Sequence, residues 1–213
     1  MVIYACLKRI MDIVIASLTL LVFAPFYLLI AALIKIDSPG PVLFWQQRLG
    51  KSGKPFTMYK FRTMQHNVPM IRNVDGSLFV GAQDPRLTRV GRLLRAYSLD
   101  EIPQAFNVLK GDMSMVGPRP DLVEDLARYD GTMHRKLEVK PGLASLPAVH
   151  GRNLLPWRKR VELDVYYIDH RSLRLDLAIL FKSVIHVLLC RGIYTPENYQ
   201  DVNHPSQEER RSG

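Results

Sequence analysis

The chain has 213 residues, 47% apolar and 9% aromatic, enough for one compact soluble domain plus an accessory element. Its formal net charge of +9 suits nucleic acid, an anionic membrane surface or a phosphorylated substrate, and charge does not choose among them. Cys6 and Cys190 lie far apart outside any C-x-x-C spacing, which fits a reducing compartment, and His66, His134, His150, His170, His186 and His204 show no metal-ligand spacing. No helix-turn-helix, RNA-recognition or finger motif accompanies the charge, so no nucleic-acid partner is expected.

The first element decides location. From Ile13 to Ile34 no residue is charged, and a straight helix of that length reaches about 33 Å, enough to cross a bilayer core. Pro25 interrupts it near the middle, where it deletes a backbone hydrogen bond and predicts a kink or break. Both flanks are cationic, Lys8 and Arg9 before and Lys35 after, and positive residues mark the cytoplasmic side. A hairpin that enters and leaves the same leaflet satisfies both flanks, with Asp12 at the interface paired to Lys8 or Arg9. A cleaved signal peptide fits poorly, because the apolar run is about twice the usual length and ends without a small-x-small site.

Short strands and helices follow. Val42–Gln46 and Phe56–Phe61 are β-rich runs separated by turn chemistry from Arg48 to Pro55, which predicts a hairpin. Residues 66–83 read as a loop. Asp84-Pro85 predicts a helix start, with Leu87, Val90, Leu93 and Leu94 on one face and Arg86, Arg89, Arg92 and Arg95 between them. Val161–His170 and Leu175–Cys190 carry helical period; the second is very apolar, either core or interfacial. From Glu197 the chain is a polar tail.

Ser98-Leu99-Asp100-Glu101-Ile102-Pro103-Gln104 is the densest site candidate. Ser98 and Glu101 have capping-box spacing, and Pro103 allows the alternative of a helix beginning at Ile102 with the proline at N1. Either puts Asp100 at a helix N-terminus, where the dipole favours an ionised carboxylate and an approaching phosphate. An ionised aspartate is a competent nucleophile toward phosphorus, and Glu101 beside it can help hold a divalent cation or move a proton. Within twenty residues comes Gly111–Pro120, whose two final prolines restrict Arg119 so that its guanidinium is ready for a phosphate fork.

Ser98–Gln104, Gly111–Pro120 and the N-terminal pattern of Lys8-Arg9, Asp12, Pro25 and Asp37-Ser38-Pro39-Gly40-Pro41 resemble the bacterial sugar transferases, small monotopic phosphoglycosyl transferases. Lys140-Pro141-Gly142-Leu143 and Gly151-Arg152-Asn153 extend the resemblance over nearly the whole chain. Between them the chain departs from it: Ala144-Ser145-Leu146-Pro147-Ala148-Val149-His150 stands where Thr-Gly-x-Ala-Gln-Val-Asn is expected.

The resemblance implies a helix-rich α/β (α+β) cytosolic domain with a short β-hairpin, attached to an N-terminal re-entrant helix-hairpin. Its limits would be 1–36 for the membrane segment, 37–196 for the catalytic domain with interfacial helices, and 197–213 for the tail. It implies transfer of a phospho-sugar from a UDP-sugar to a polyprenol phosphate such as undecaprenyl phosphate, through an aspartyl phospho-sugar on Asp100. Asp100 and Glu101 would be catalytic and hold Mg2+; Arg95, Arg119, Lys60, Arg62 and Arg152 would bind phosphate; Lys8, Arg9, Asp12 and Pro25 would set the membrane segment. Expected partners are the nucleotide-sugar donor, the acceptor and membrane lipid, with a homodimer as a further association, at the cytoplasmic face of the bacterial inner membrane. Seven residues precede Lys8, so a minimal catalytic unit without further N-terminal spans is expected. A non-catalytic, membrane-attached scaffold of polysaccharide assembly is the alternative.

Overall fold

The computed structural model describes residues 2–69, 71, 79, 81 and 84–189; the predicted tail, Cys190 and most of the loop over 70–83 lie outside them. The elements run α1 (Val2–Asp37), β1 (Leu43–Leu49), β2 (Pro55–Phe61), α2 (Arg89–Ala96), α3 (Gln104–Lys110), β3 (Ser114–Val116), α4 (Gly131–His134), β4 (Gly142–Ala144), α5 (Trp157–His170) and α6 (Leu173–Leu188), with short 3-10 turns between. The molecule is helix-rich with one hairpin, as expected.

Pro25 was expected to kink or break the segment; helical geometry in α1 continues through it, so the helix is not broken there. A proline costs the helix one backbone bond, but its fixed φ is helical, and the apolar neighbours offer the backbone no other partners. Among the described residues α1 is the one helix long and apolar enough to cross a membrane.

Both ends of α1 are fastened to the rest of the fold. Asp12, 3% exposed, accepts hydrogen bonds from Ser114 Oγ at 3.0 Å and the Met115 amide at 2.9 Å. Arg9 donates to the carbonyls of Val108 and Leu109 at the C-terminal turn of α3, and Lys8 pairs with Asp176 at 2.9 Å. The expectation that Asp12 pairs with Lys8 or Arg9 at a lipid headgroup is therefore corrected. A buried carboxylate needs fixed donors, and β3 supplies two, while the cations take acceptors on α3 and α6. At the other end, Ile30 and Ile34 pack with Phe61 and Leu94, and Asp37 Oδ2 accepts the Val90 amide at 2.8 Å. Each isoleucine so buried contributes about 1.5–3 kcal/mol, comparable with the polar anchor at Asp12.

The hairpin is antiparallel with Leu43 opposite Phe61 and Leu49 opposite Pro55, a little longer than the apolar runs suggested. Asn107, fully buried on α3, ties it down: its Oδ1 accepts the Tyr59 amide and its Nδ2 donates to the Thr57 carbonyl. That contact sets the end of β2 beside the turn preceding α3.

The helix predicted from Asp84-Pro85 begins four residues later, with Thr88 as its cap and Arg89 its first residue. Thr88 caps α2 by accepting the Gly91 amide, whereas Asp84 is drawn to the Arg86 guanidinium and amide and is fully buried there. Gly91 allows α2 to sit against the segment that follows β2, since a Cβ there would lie 1.9 Å from the Thr63 carbonyl oxygen. A parallel pair, β3 with β4, pairs Ser114 with Gly142 and Val116 with Ala144; periodicity does not reveal strands this short. The main core joins Ala16 of α1, Met58 of β2, Val108 of α3, Val116 of β3, Tyr167 of α5 and Ile179 of α6.

Candidate active site

Asp100 and Glu101 lie in a 3-10 turn, Leu99–Glu101, just before α3. Neither predicted start of the helix is adopted: Pro103 precedes the first helical residue, Gln104, and Ser98 caps nothing. Ser98 instead takes a left-handed conformation, φ 52°, and its Oγ accepts a hydrogen bond from Arg152 at 2.8 Å. The capping box fails because Glu101 has stronger partners than an amide. Lys60 Nζ and Arg119 Nη2 both donate to its Oε1, each at 2.8 Å.

The two carboxyl groups diverge in ionisation. Burial pushes Asp100 above the usual carboxylate range, offset in part by Lys60 and raised further by Glu101. Burial also acts on Glu101, but Arg119 and Lys60 outweigh it and hold that group well below its ordinary value. The fixed negative charge of the pair thus rests on Glu101, with Asp100 the more basic of the two.

Other predicted cations converge as well. Arg95, at the end of α2, donates to Thr63 Oγ1 at 3.0 Å and acts electrostatically on Asp100; Arg152 acts on both carboxylates. Arg119 is carried on the loop that leaves β3. There Arg48 Nη1 donates to the Pro120 carbonyl and the Leu49 amide to that of Asp121, fixing the loop to the end of β1. Arg62 is the exception among the five. It is 4% exposed, and its guanidinium donates to Ser38 Oγ and to the carbonyls of Ser38, Pro39 and Pro41. With its donors so engaged it braces the segment between α1 and β1.

These groups face one cavity of about 640 Å³, which Ser145, Pro147 and Ala148 of the divergent loop also line. Sequence reasoning missed part of the lining. Arg48, whose guanidinium burial pushes down to about 10, lies electrostatically next to Arg119 and Asp121. Beyond it, Lys136 pairs with Asp121 and Asp164, and Trp157 and Arg160 project from α5. Trp157, Arg160 and Asp164 recur at helical spacing, a signal available in the sequence; Lys136 and Arg48 are brought in by chain far removed and carried none. Among the described residues no three His, Cys, Asp or Glu side chains gather as a metal cluster.

Residues 3–190 match the bacterial sugar transferase family, and the chain belongs to it. It is a transferase. It is 43% identical to the uncharacterized sugar transferase EpsL of Bacillus subtilis, over 95% of this chain and 94% of that one. It is 39% identical to the exopolysaccharide production protein ExoY of Rhizobium meliloti, over 88% of each. With the UDP-N-acetylgalactosamine-undecaprenyl-phosphate N-acetylgalactosaminephosphotransferase of Aeromonas hydrophila it shares 42% identity over 87% of this chain and 44% of that longer protein.

Proposed function

We propose that this transferase moves a phospho-sugar from a UDP-sugar to a polyprenol phosphate, with Asp100 as the nucleophile. The observation that carries this reading is the pairing of a buried, basic Asp100 with a Glu101 whose charge Lys60 and Arg119 neutralise, all on one cavity. The Aeromonas relative's name, and that of the UDP-glucose:undecaprenyl-phosphate glucose-1-phosphate transferase of Klebsiella pneumoniae, supply the donor and acceptor classes.

In the first step an Asp100 oxygen attacks the β-phosphorus. The bond from Asp100 to phosphorus forms, the bond from phosphorus to the bridging oxygen breaks, and the nucleoside monophosphate leaves with that oxygen. In the second, an oxygen of the polyprenol phosphate attacks the same phosphorus, forming the diphosphate bond and releasing the Asp100 carboxylate. Arg119, Arg95 and Arg152 bear on the phosphate oxygens as charge spreads over them, and Lys60 holds Glu101 in place. Arg62 also lines the cavity, and its engagement by the Ser38–Pro41 segment favours a bracing role over phosphate binding.

Magnesium fits this arrangement as a shared ligand. Glu101 Oε1 is taken by two cations, so Asp100 and the second oxygen of Glu101 would hold the ion together with diphosphate oxygens, the usual pattern of few carboxylates plus phosphate. Bound there it would neutralise charge on the leaving phosphate.

A monotopic placement follows from α1. Asp12 is fixed to β3 and Asp37 to α2, about 37 Å apart along a straight helix and more than a bilayer core of about 30 Å. That one domain grips both ends supports α1 lying within one leaflet rather than crossing, its exposed Leu18, Leu21, Val22 and Leu28 facing lipid. The cationic flanks favour the cytoplasmic leaflet.

The test is release of uridine monophosphate from UDP-glucose and UDP-N-acetylgalactosamine with undecaprenyl phosphate present or absent. Acceptor-dependent turnover is expected, with a hexose-phosphate mass increment on the Asp100 peptide when acceptor is withheld. Turnover without an adduct on Asp100 under any quench would overturn the covalent route.

A further inference from the structure

The far end of the cavity is built differently from the reaction centre. Asp164, 3% exposed, directs Oδ2 to Lys136 at 3.4 Å, while its Oδ1 is buried with no hydrogen-bond partner among the described residues. Arg160 stands one turn earlier on the same face of α5, and its Nε is likewise buried without a partner. An Arg and an Asp at this spacing ordinarily pair, but here Lys136 has taken one carboxylate oxygen, and the guanidinium lies over the Trp157 ring at 5.4 Å instead. An unmet acceptor and an unmet donor are thus left on the wall of one cavity, beside an indole. A buried polar group that nothing satisfies is costly, and one retained on the wall of a cavity points to a bound group that completes the bond.

We infer that Asp164 and Arg160 form a hydroxyl-reading pocket for the donor, Asp164 Oδ1 accepting from a ring hydroxyl and Arg160 Nε donating to that hydroxyl or its neighbour. A hydroxyl is the simple group that both gives and takes a hydrogen bond, and Trp157 offers the flat apolar wall against which sugar rings pack. The inference rests on the proposed function, and it assigns specificity to α5 rather than to the reacting carboxylates. Along the wall Glu101 and Arg119 are followed by Arg48 and Asp121, then by Lys136 and Asp164, so a donor with its diphosphate at Asp100 extends one of its two sugars toward α5. The hydroxyl belongs to either the transferred hexose or the ribose, which share this chemistry.

Asp164→Asn in the full-length, detergent-solubilised protein tests this. Lys136 claims the carboxamide oxygen, which turns the amide nitrogen toward the cavity and replaces the acceptor by a second donor. With UDP-glucose and UDP-N-acetylgalactosamine as probes, donor KM is expected to rise about tenfold or more, with kcat and undecaprenyl phosphate KM within about threefold of wild type. Arg160→Gln, at a half-buried site that tolerates change, is expected to raise donor KM in the same sense, and so covers a failure of the first variant to fold. An equal rise in the inhibition constant of uridine monophosphate assigns the hydroxyl to ribose; an unchanged one assigns it to the hexose. Normal wild-type turnover with unchanged donor KM in both folded variants overturns the pocket alone. Absence of turnover in the wild-type protein overturns the proposed function, and the pocket with it.

Discussion

Asp100 and Glu101 are neighbours in the chain, yet the fold holds their carboxyl groups on opposite sides of the ordinary carboxylate range. Glu101 receives Lys60 and Arg119 on a single oxygen, and Asp100, 7% exposed, receives neither directly. Glu101 is a charge fixed by its partners, and Asp100 is the group proposed above as the nucleophile.

Asp100→Asn keeps volume and turn geometry while removing the attacking anion. Turnover should fall on the order of 1,000-fold or more with the melting temperature nearly unchanged. Glu101→Gln should be severe too, because it removes the negative charge that Lys60 and Arg119 share. Near wild-type rates in Asp100→Asn would end the nucleophile assignment.

Arg62 and Arg119 separate structural from substrate-facing arginine. Arg62→Ala removes a buried guanidinium that donates to three carbonyls and a hydroxyl of the Ser38–Pro41 segment, so it should lower stability by about 1–3 kcal/mol in denaturant unfolding. Arg119→Lys should leave stability nearly intact and reduce kcat/KM, since an ammonium cannot present the planar fork. The reverse pattern would restore Arg62 as the phosphate ligand.

What the sequence made legible follows the range of each signal. The hairpin, α1, α5 and α6 are local patterns of apolar residues, and they formed close to where the patterns ended. Asp84 misled because a good N-cap residue found a buried arginine two residues on, and Thr88 took the cap. Ser98 misled in the same way, its box undone by Lys60 and Arg119 from distant chain. Local rules rank local partners; a tertiary cation outranks an amide at equal distance. The candidate site was readable at Asp100, Glu101 and Arg119, and unreadable at Arg48 and Lys136, whose neighbours are set by the fold.

If Asp100 is the nucleophile, the acid limb of the pH–rate profile should report it. Attack requires the anion, and burial places its pKa above the usual carboxylate range, so kcat/KM should fall as pH drops through that raised value. Lys60 favours the ionised form; Lys60→Gln should therefore move the limb to higher pH. A limb that stays in place would show that another group governs it.

Metal dependence separates the two ways of neutralising phosphate. If magnesium is held between the carboxylates and the diphosphate, EDTA should abolish turnover and added magnesium restore it. Undiminished turnover in EDTA would leave Arg95, Arg119 and Arg152 as the charge partners and remove the ion from the proposal.

The last prediction concerns α1. Because Asp12 and Asp37 are both bound to the same domain, residues flanking the apolar run should lie on one side of the membrane even though the helix is unbroken at Pro25. In a variant lacking Cys6 and Cys190, single cysteines placed before Lys8 and after Lys35 should both be shielded from an impermeant thiol reagent in intact cells. Both should react once the membrane is opened. Labelling of the first from outside would mean that α1 crosses the bilayer, which requires the Asp12 contact to Ser114 and Met115 to break. Asp12→Ala supplies the control: it removes that contact, so it should loosen the N-terminal half of α1 and lower stability by about 1–3 kcal/mol without changing which side either cysteine occupies, because Ile30, Ile34 and Asp37 still hold the other half.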